Sequence, residues 1–211
     1  IIARQKSYHG TTIASASLCG LPTMHQAFDL PIPNILHTDA PYFYRNAEPG
    51  ESPEQFASRL AENLEKLILS EGPETIAAFL TEPMQSAGGT IVPPATYFDK
   101  IQAVLRKYRI MFVLDEVITG FGRTGNLWGA QTYNIKPDAM VIAKAITSAY
   151  QPLGAVIISE EIYQGLAKGS DTLGAFFHGF TYSGHPVACA VALETLKIYE
   201  ERDTFGHVKR I

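Results

Sequence analysis

Ile110-Met-Phe-Val-Leu-Asp-Glu-Val-Ile-Thr-Gly-Phe-Gly-Arg-Thr-Gly125 opens with five apolar residues and stops on two carboxylates, Asp115 and Glu116. A short continuous apolar run of this kind is how a strand buried on both faces reads, and such strands belong to parallel sheets in α/β proteins. Ligand sites of open α/β sheets lie beyond the carboxyl ends of the strands, so an acid there is well placed to meet a ligand. Working outward, Ala139-Met-Val-Ile-Ala143 is a second such run, and it ends on Lys144. One carboxylate and one amine thus terminate two apolar strands.

That pairing suits pyridoxal phosphate chemistry, which needs a lysine amine for a Schiff base and a carboxylate to keep the ring nitrogen protonated. A freed lysine can then move a proton between carbons as a general base and acid. Spacing alone leaves a plainer reading open, in which Asp115 caps a turn and Lys144 is a surface residue at a strand end.

Five segments in register decide between these readings. They are Tyr8-His-Gly10, Glu82-Pro-Met-Gln-Ser-Ala-Gly-Gly89, Asp115-Glu-Val-Ile-Thr-Gly-Phe-Gly-Arg-Thr-Gly125, Ala143-Lys-Ala-Ile-Thr-Ser148 with Pro152-Leu-Gly-Ala155, and Phe180-Thr-Tyr-Ser-Gly-His-Pro186. Together they resemble the successive signatures of class III pyridoxal-phosphate-dependent aminotransferases, from residue 1 to about 200. The resemblance implies an α/β fold of the pyridoxal phosphate transferase fold type I: a mostly parallel sheet flanked by helices in an α/β/α arrangement. It also implies that residues 1–200 are part of the cofactor-binding large domain and that 201–211 begin the connection to a small domain. The loop that cups the cofactor phosphate in that family would lie upstream, so the chain reads as an interior piece of a larger enzyme.

Composition is consistent with this. A chain of 211 residues, 46% hydrophobic and 18% charged, can bury a good core. Net charge is −4 with no long basic run, so neither nucleic acid nor an anionic membrane surface is an expected partner. No apolar segment approaches the length of a membrane span. Cys19 and Cys189 stand apart in small or apolar surroundings and read as free thiols, for which a reducing cytoplasm is the expected location.

Along the chain, Ile1-Ile-Ala3 reads as the end of a strand, Arg4 to Gly10 as the loop leaving it, and Gly10 to Leu18 as a short helix. Gly20 to Pro53 carries six prolines, which forbids long regular elements. Ser52, Pro53 and Gln55 form a capping box with proline at the first helical position, and Phe56, Leu60, Leu64, Leu67 and Ile68 share one face of the helix that follows. Gly72-Pro73 stops it. A strand over Thr75 to Leu80 delivers Glu82, and a helix from about Pro94 to Tyr108 turns Phe98, Ile101, Leu105 and Tyr108 inward. Strand and helix alternating in this way indicate a parallel sheet with helices on both faces. Gly120 to Gly129 is a loop whose backbone approaches something closely. Leu153 to Ile158 reads as a further buried strand, Gly165 to Gly184 as glycine-rich, and Pro186 as the start of a helix to about Glu201.

The resemblance assigns roles residue by residue. Lys144 is the catalytic lysine. Asp115 pairs with the pyridinium nitrogen, Val117 presses the ring from below, Tyr8 stacks on it, and Glu82 belongs to the polar surround. His9 is either a supporting group there or a polar loop residue, and the second is preferred. Thr181 matches a threonine that reaches across a dimer to the cofactor phosphate, so a homodimer or dimer of dimers is expected. Arg123 is expected to anchor its own glycine loop.

Two departures bear on substrate. Ornithine- and GABA-type members resemble Glu-Pro-x-Gln-x-Glu and carry glutamine further along; this chain has Ala87 and Ile118. Both look like the amine or ω-amino acid:pyruvate branch, where a less polar pocket suits an amine donor with an apolar substituent. The expected activity is amino transfer from an ω-amino acid or primary amine to pyruvate or a similar oxo acid. Alternatives are an aminomutase such as glutamate-1-semialdehyde aminomutase, a decarboxylating transaminase, or an inactive fragment.

Overall fold

Ser52 fixes where the longest helix begins. Its hydroxyl accepts the Gln55 N–H at 3.2 Å while the Gln55 side chain accepts the Ser52 N–H at 2.8 Å, and Pro53 follows in the first turn. This reciprocal cap satisfies donors that a helix start otherwise leaves bare. The computed structural model describes residues 1–211. Its elements in order are β1 (Ile2–Arg4), α1 (Ile13–Leu18), β2 (Leu36–Thr38), α2 (Phe43–Asn46) and the capped helix α3 (Pro53–Glu71). Then come β3 (Ala78–Thr81), α4 (Tyr97–Tyr108), β4 (Met111–Asp115), α5 (Gly129–Thr132) and β5 (Ala139–Ile142). β6 (Ala155–Ile158), α6 (Glu160–Leu173), α7 (Pro186–Glu201) and α8 (Thr204–Arg210) complete the chain.

The six strands form one sheet in the order β2-β1-β3-β4-β5-β6. All neighbours are parallel except β5 and β6, which pair antiparallel from Ala139 opposite Ile158 to Ile142 opposite Ala155. The sequence reading of a mostly parallel sheet flanked by helices therefore holds.

The main core is a cluster of 18 buried residues. Phe56, Leu60, Leu64 and Ile68 of α3, and Phe98, Ile101 and Leu105 of α4, meet Ile2, Phe79, Phe112 and Leu114 of the sheet. Burying each such side chain contributes about 1.5–3 kcal/mol. Gln102 lies among them, but its amide is spent on the Phe98 and Asn134 carbonyls and the Lys136 N–H, so it is no orphan. A second cluster has only four buried residues, Phe121, Ile142, Ile146 and Ala192.

Four features go beyond or differ from the sequence reading. β2 forms inside the proline-rich stretch, where three residues suffice once β1 offers a ladder. β6 is not buried: all four residues are exposed, Val156 at 62%, because this edge strand packs substantially only on β5, whereas β2 at the other edge is covered by α3. Residues 160–173, whose second half reads as glycine-rich, form α6, capped by Ser159. Residues 204–210 form α8, which packs against α7 and the Gly120–Gly129 loop.

Candidate active site

Parallel strands put their carboxyl ends on one edge, and four of them deliver polar groups there. β1 leads to Tyr8 and His9, β3 to Glu82, β4 to Asp115 and β5 to Lys144. Tyr8, His9, Glu82, Asp115, Val117 and Lys144 line one cavity of about 230 Å³, with Met84, Ala87 and Ile118 as further apolar lining. Six of the seven site residues expected from sequence are thus brought together. Thr181 is exposed on the loop between α6 and α7 and does not line the cavity.

Asp115 and Glu116 are adjacent, so they leave the strand end on opposite sides. Asp115 is held at both oxygens: Oδ1 accepts the Val117 N–H at 3.0 Å and Oδ2 lies 2.8 Å from His9 Nδ1. Glu116 is fully buried and turns away. Its carboxylate accepts the Thr119 hydroxyl and the N–H groups of Gly129 and Ala130 at 3.0 and 2.7 Å. Burial pushes the Glu116 carboxyl above its ordinary range, against the lowering effect of those donors, and the neighbouring Asp115 charge adds to the rise. Only the first of the two carboxylates faces the cavity; the second pins the start of α5.

His9 is more than a polar loop residue, which corrects the preferred sequence reading. Its side chain is 2% exposed, it meets Asp115, and its Nε2 is buried 3.9 Å from Glu82 Oε2. Glu82, also buried, accepts the Tyr8 N–H at 3.1 Å. The Cys19 thiol accepts the His9 N–H at 3.0 Å, and burial raises the thiol above its usual range.

Lys144 approaches differently. It starts a single 3-10 turn with φ of 49°, and Ser148 and Ala149 on the same loop also have positive φ. A non-glycine residue in this region costs about 1–3 kcal/mol, and such strain collects at functional sites. Lys144 is exposed and lines both the small cavity and an adjoining one of about 630 Å³ bounded by Phe121, Tyr199 and Val208.

The glycine loop after Asp115 does approach something closely, but that something is protein. A Cβ on Gly122, at φ of 102°, would meet the Phe205 ring of α8 at 2.5 Å, and one on Gly129 would meet Pro83 and Thr119 at 2.9 Å. Arg123 is exposed and makes no hydrogen bond or ion pair, so it does not anchor this loop as expected. Sequence reading missed Arg4, which is fully buried at the end of β1 and bonded to Glu82. The available signal was a charged residue closing an apolar run that leads into Tyr8-His9.

The model of the family Aminotransferase class-III matches residues 1–211. The chain is 62% identical over 210 residues to "Gamma aminobutyrate transaminase 3, chloroplastic" of Solanum lycopersicum, covering 100% of this chain and 40% of that protein. It is 62% identical over 211 residues to "Probable gamma-aminobutyrate transaminase 4" of Oryza sativa subsp. japonica, covering 44% of it. Among solved structures, the omega transaminase of Pseudomonas jessenii in complex with PMP superposes with a TM-score of 0.97 at 57% identity, over 98% of this chain and 46% of that one. The chain therefore spans less than half the length of these relatives. It belongs to the class III aminotransferase family.

Proposed function

We propose that the protein of which this chain forms the site-bearing part is an aminotransferase that moves an amino group from an ω-amino acid or primary amine to pyruvate or a similar oxo acid. The observation that carries this reading is that Asp115 and Lys144, from two neighbouring strands, line one cavity. Pyridoxal 5′-phosphate is the cofactor of the family. The residues fit it: a carboxylate already oriented by two partners, an amine on the same cavity, and Tyr8 and Val117 as aromatic and branched walls. Bound there, the cofactor supplies an electron sink for the charge released when a Cα–H bond breaks.

The chain's own residues do the rest. Asp115 would hold a proton at the ring nitrogen by opposite charge, and His9 and the Val117 N–H keep its oxygens in place. Tyr8 and Val117, which line the cavity, would flank a bound ring and keep water from it. The Lys144 amine would take a proton from the donor's amine-bearing carbon and, in the second half of the exchange, deliver one to the former carbonyl carbon of the oxo acid, as a positioned base and acid. Thr181 supports a reading in which a second copy supplies this hydroxyl to the phosphate, making the functional unit at least a dimer; the exposed Phe177, Phe180 and Tyr182 beside it suit such a contact. Two free thiols support a reducing compartment, proposed as the cytoplasm. Recovery of the native protein in an organelle fraction would overturn that location.

On donor choice, Ala87 and Ile118 both line the cavity and make it less polar. The relatives carry the name gamma-aminobutyrate transaminase. GABA is itself an ω-amino acid, so it stands among the proposed donors, against the expectation drawn from residues 87 and 118 alone.

The test is to treat the full-length protein with pyridoxal phosphate, reduce it with borohydride and locate the pyridoxyl group by peptide mass spectrometry. Stoichiometric label on Lys144 is expected, and scattered or absent label overturns the reading. A donor panel of GABA, β-alanine, ornithine and aryl amines with pyruvate then defines the substrate class. Preference for ornithine overturns the branch.

A further inference from the structure

Arg4 ends β1 with its side chain fully buried. Its Nη2 donates to the Glu82 main-chain carbonyl at 2.6 Å and to Glu82 Oε2 at 3.3 Å. Its Nε and Nη1 are buried without partners, and the guanidinium carbon lies 5.8 Å from the Tyr97 ring centroid and 6.0 Å from that of Phe98. A buried pair with unmet donors is poorly explained by stability, since apolar residues of similar volume commonly do as well or better. What the pair does to Glu82 explains it better. Clamped at its carbonyl and at one carboxylate oxygen, Glu82 turns Oε1 to the Tyr8 N–H and presents Oε2 to His9 Nε2 at 3.9 Å, too far for a hydrogen bond. His9 in turn meets Asp115 through Nδ1 at 2.8 Å.

We propose that Arg4 is a positioning residue for the site of the cofactor's ring nitrogen. It compensates the Glu82 charge and fixes its direction, so that His9 keeps a single ring proton, on Nδ1, and gives it to Asp115. This rests on the pyridoxal phosphate reading above. The groups facing His9 are Asp115 after β4, Glu82 after β3, the Cys19 thiol on its main-chain N–H, His37 of β2 at longer range and Lys144 on the shared cavity. Arg4 reaches His9 only through Glu82. Without the guanidinium, an uncompensated carboxylate faces Nε2, and a second proton on the imidazole becomes its nearest counter-charge. The resulting imidazolium binds Asp115 by a charge-assisted bond and competes with the ring nitrogen for it.

The test compares the full-length protein with its Arg4→Met and Arg4→Met/Glu82→Gln variants, reading ¹⁵N shifts of the His9 ring near neutral pH and the dissociation constant for pyridoxal phosphate. Arg4→Met is expected to put a second proton on His9 and weaken cofactor binding about tenfold, the scale of losses when a group orienting a ligand-holding residue is removed. The double variant, which removes both charges of the pair, is expected to return His9 to one ring proton. It also keeps the test decisive where Arg4→Met does not fold, because two ring protons in the double variant overturn the inference. An unchanged His9 spectrum with unchanged cofactor affinity in Arg4→Met overturns it too, whatever happens to thermal stability. A wild-type protein that binds no pyridoxal phosphate overturns the functional reading instead.

Discussion

From β2 to β4 the sheet is backed by α3 and α4 and shares with them a core of 18 buried residues, while from β5 onward only Phe121, Ile142, Ile146 and Ala192 cluster in burial. β6 is exposed along its length and α6 buries no residue. The candidate site straddles this boundary. Its acid side (His9, Glu82 and Asp115) hangs from strands locked into the large core, and its hydrogen bonds cross from one strand end to the next. Its amine side hangs from the thin half, on a loop with three non-glycine residues at positive φ. On the proposed reading, the groups that must stay still are rooted in dense packing, and the group that must move between bonding partners sits on a looser support.

Removing the moving group should produce the largest effect. In the full-length protein, Lys144→Ala is expected to lower amino transfer by roughly 10²–10⁴-fold, the usual worth of a positioned base, while the melting temperature stays put. A large fall in melting temperature would mean that the thin half is structurally more demanding than its packing suggests. The next contrast is between truncations. Phe98→Ala in the dense half should cost about 3–5 kcal/mol in denaturant unfolding. Val156→Ala on β6 should stay within about 0.5 kcal/mol, as exposed substitutions do. Equal costs would erase the distinction between the halves.

Glu116→Gln sharpens the comparison at the boundary itself. An amide group would turn a donor toward the Gly129 N–H, the Ala130 N–H or the Thr119 hydroxyl, at a cost of about 1–3 kcal/mol. Hydrogen exchange should rise first at Gly129 and Ala130, and a uniform rise across β4 would contradict a local role. The smallest effect lies at the rim of the dense half, where the Arg59 guanidinium beside Glu51 brings its carboxyl down from 4.5 to about 2. Because the folded value is the lower one, this contribution is complete above about pH 4.5 and is lost as pH falls toward 2. Arg59→Ala should therefore flatten the acid loss of stability in that window and leave the slope near neutrality unchanged.

Elements with a local signal are legible in the sequence whichever half they lie in: Ser52-Pro53 with Gln55 fixes the start of α3, and the apolar runs before Asp115 and Lys144 fix β4 and β5. Asp115 and Lys144 follow from those strand ends, while Tyr8, His9, Glu82 and Val117 enter through the resemblance to the family, and the strand ends bring all six together. β2 escaped because it depends on a partner far away in sequence. β6 reads as buried because an apolar run shows what a strand prefers to face and not whether anything in the chain faces it. The start of α6 is signalled by Ser159-Glu160-Glu161, a cap followed by first-turn acids, while the glycines from Gly165 onward hide its second half. The role of His9 depends on a 2.8 Å contact to a residue 106 positions away, which no local pattern encodes.

The close seat of Gly129 has a consequence for laboratory evolution. A single methyl there would press on Pro83, whose chain neighbour is Glu82, and on Thr119, whose hydroxyl bonds Glu116. A position that touches no substrate would then be intolerant in any library screened for activity, and would be mistaken for a contact residue. Variants at 129 should survive only alongside compensating changes at 83 or 119, so pairs rather than single substitutions are the unit in which this wall of the site can be redesigned.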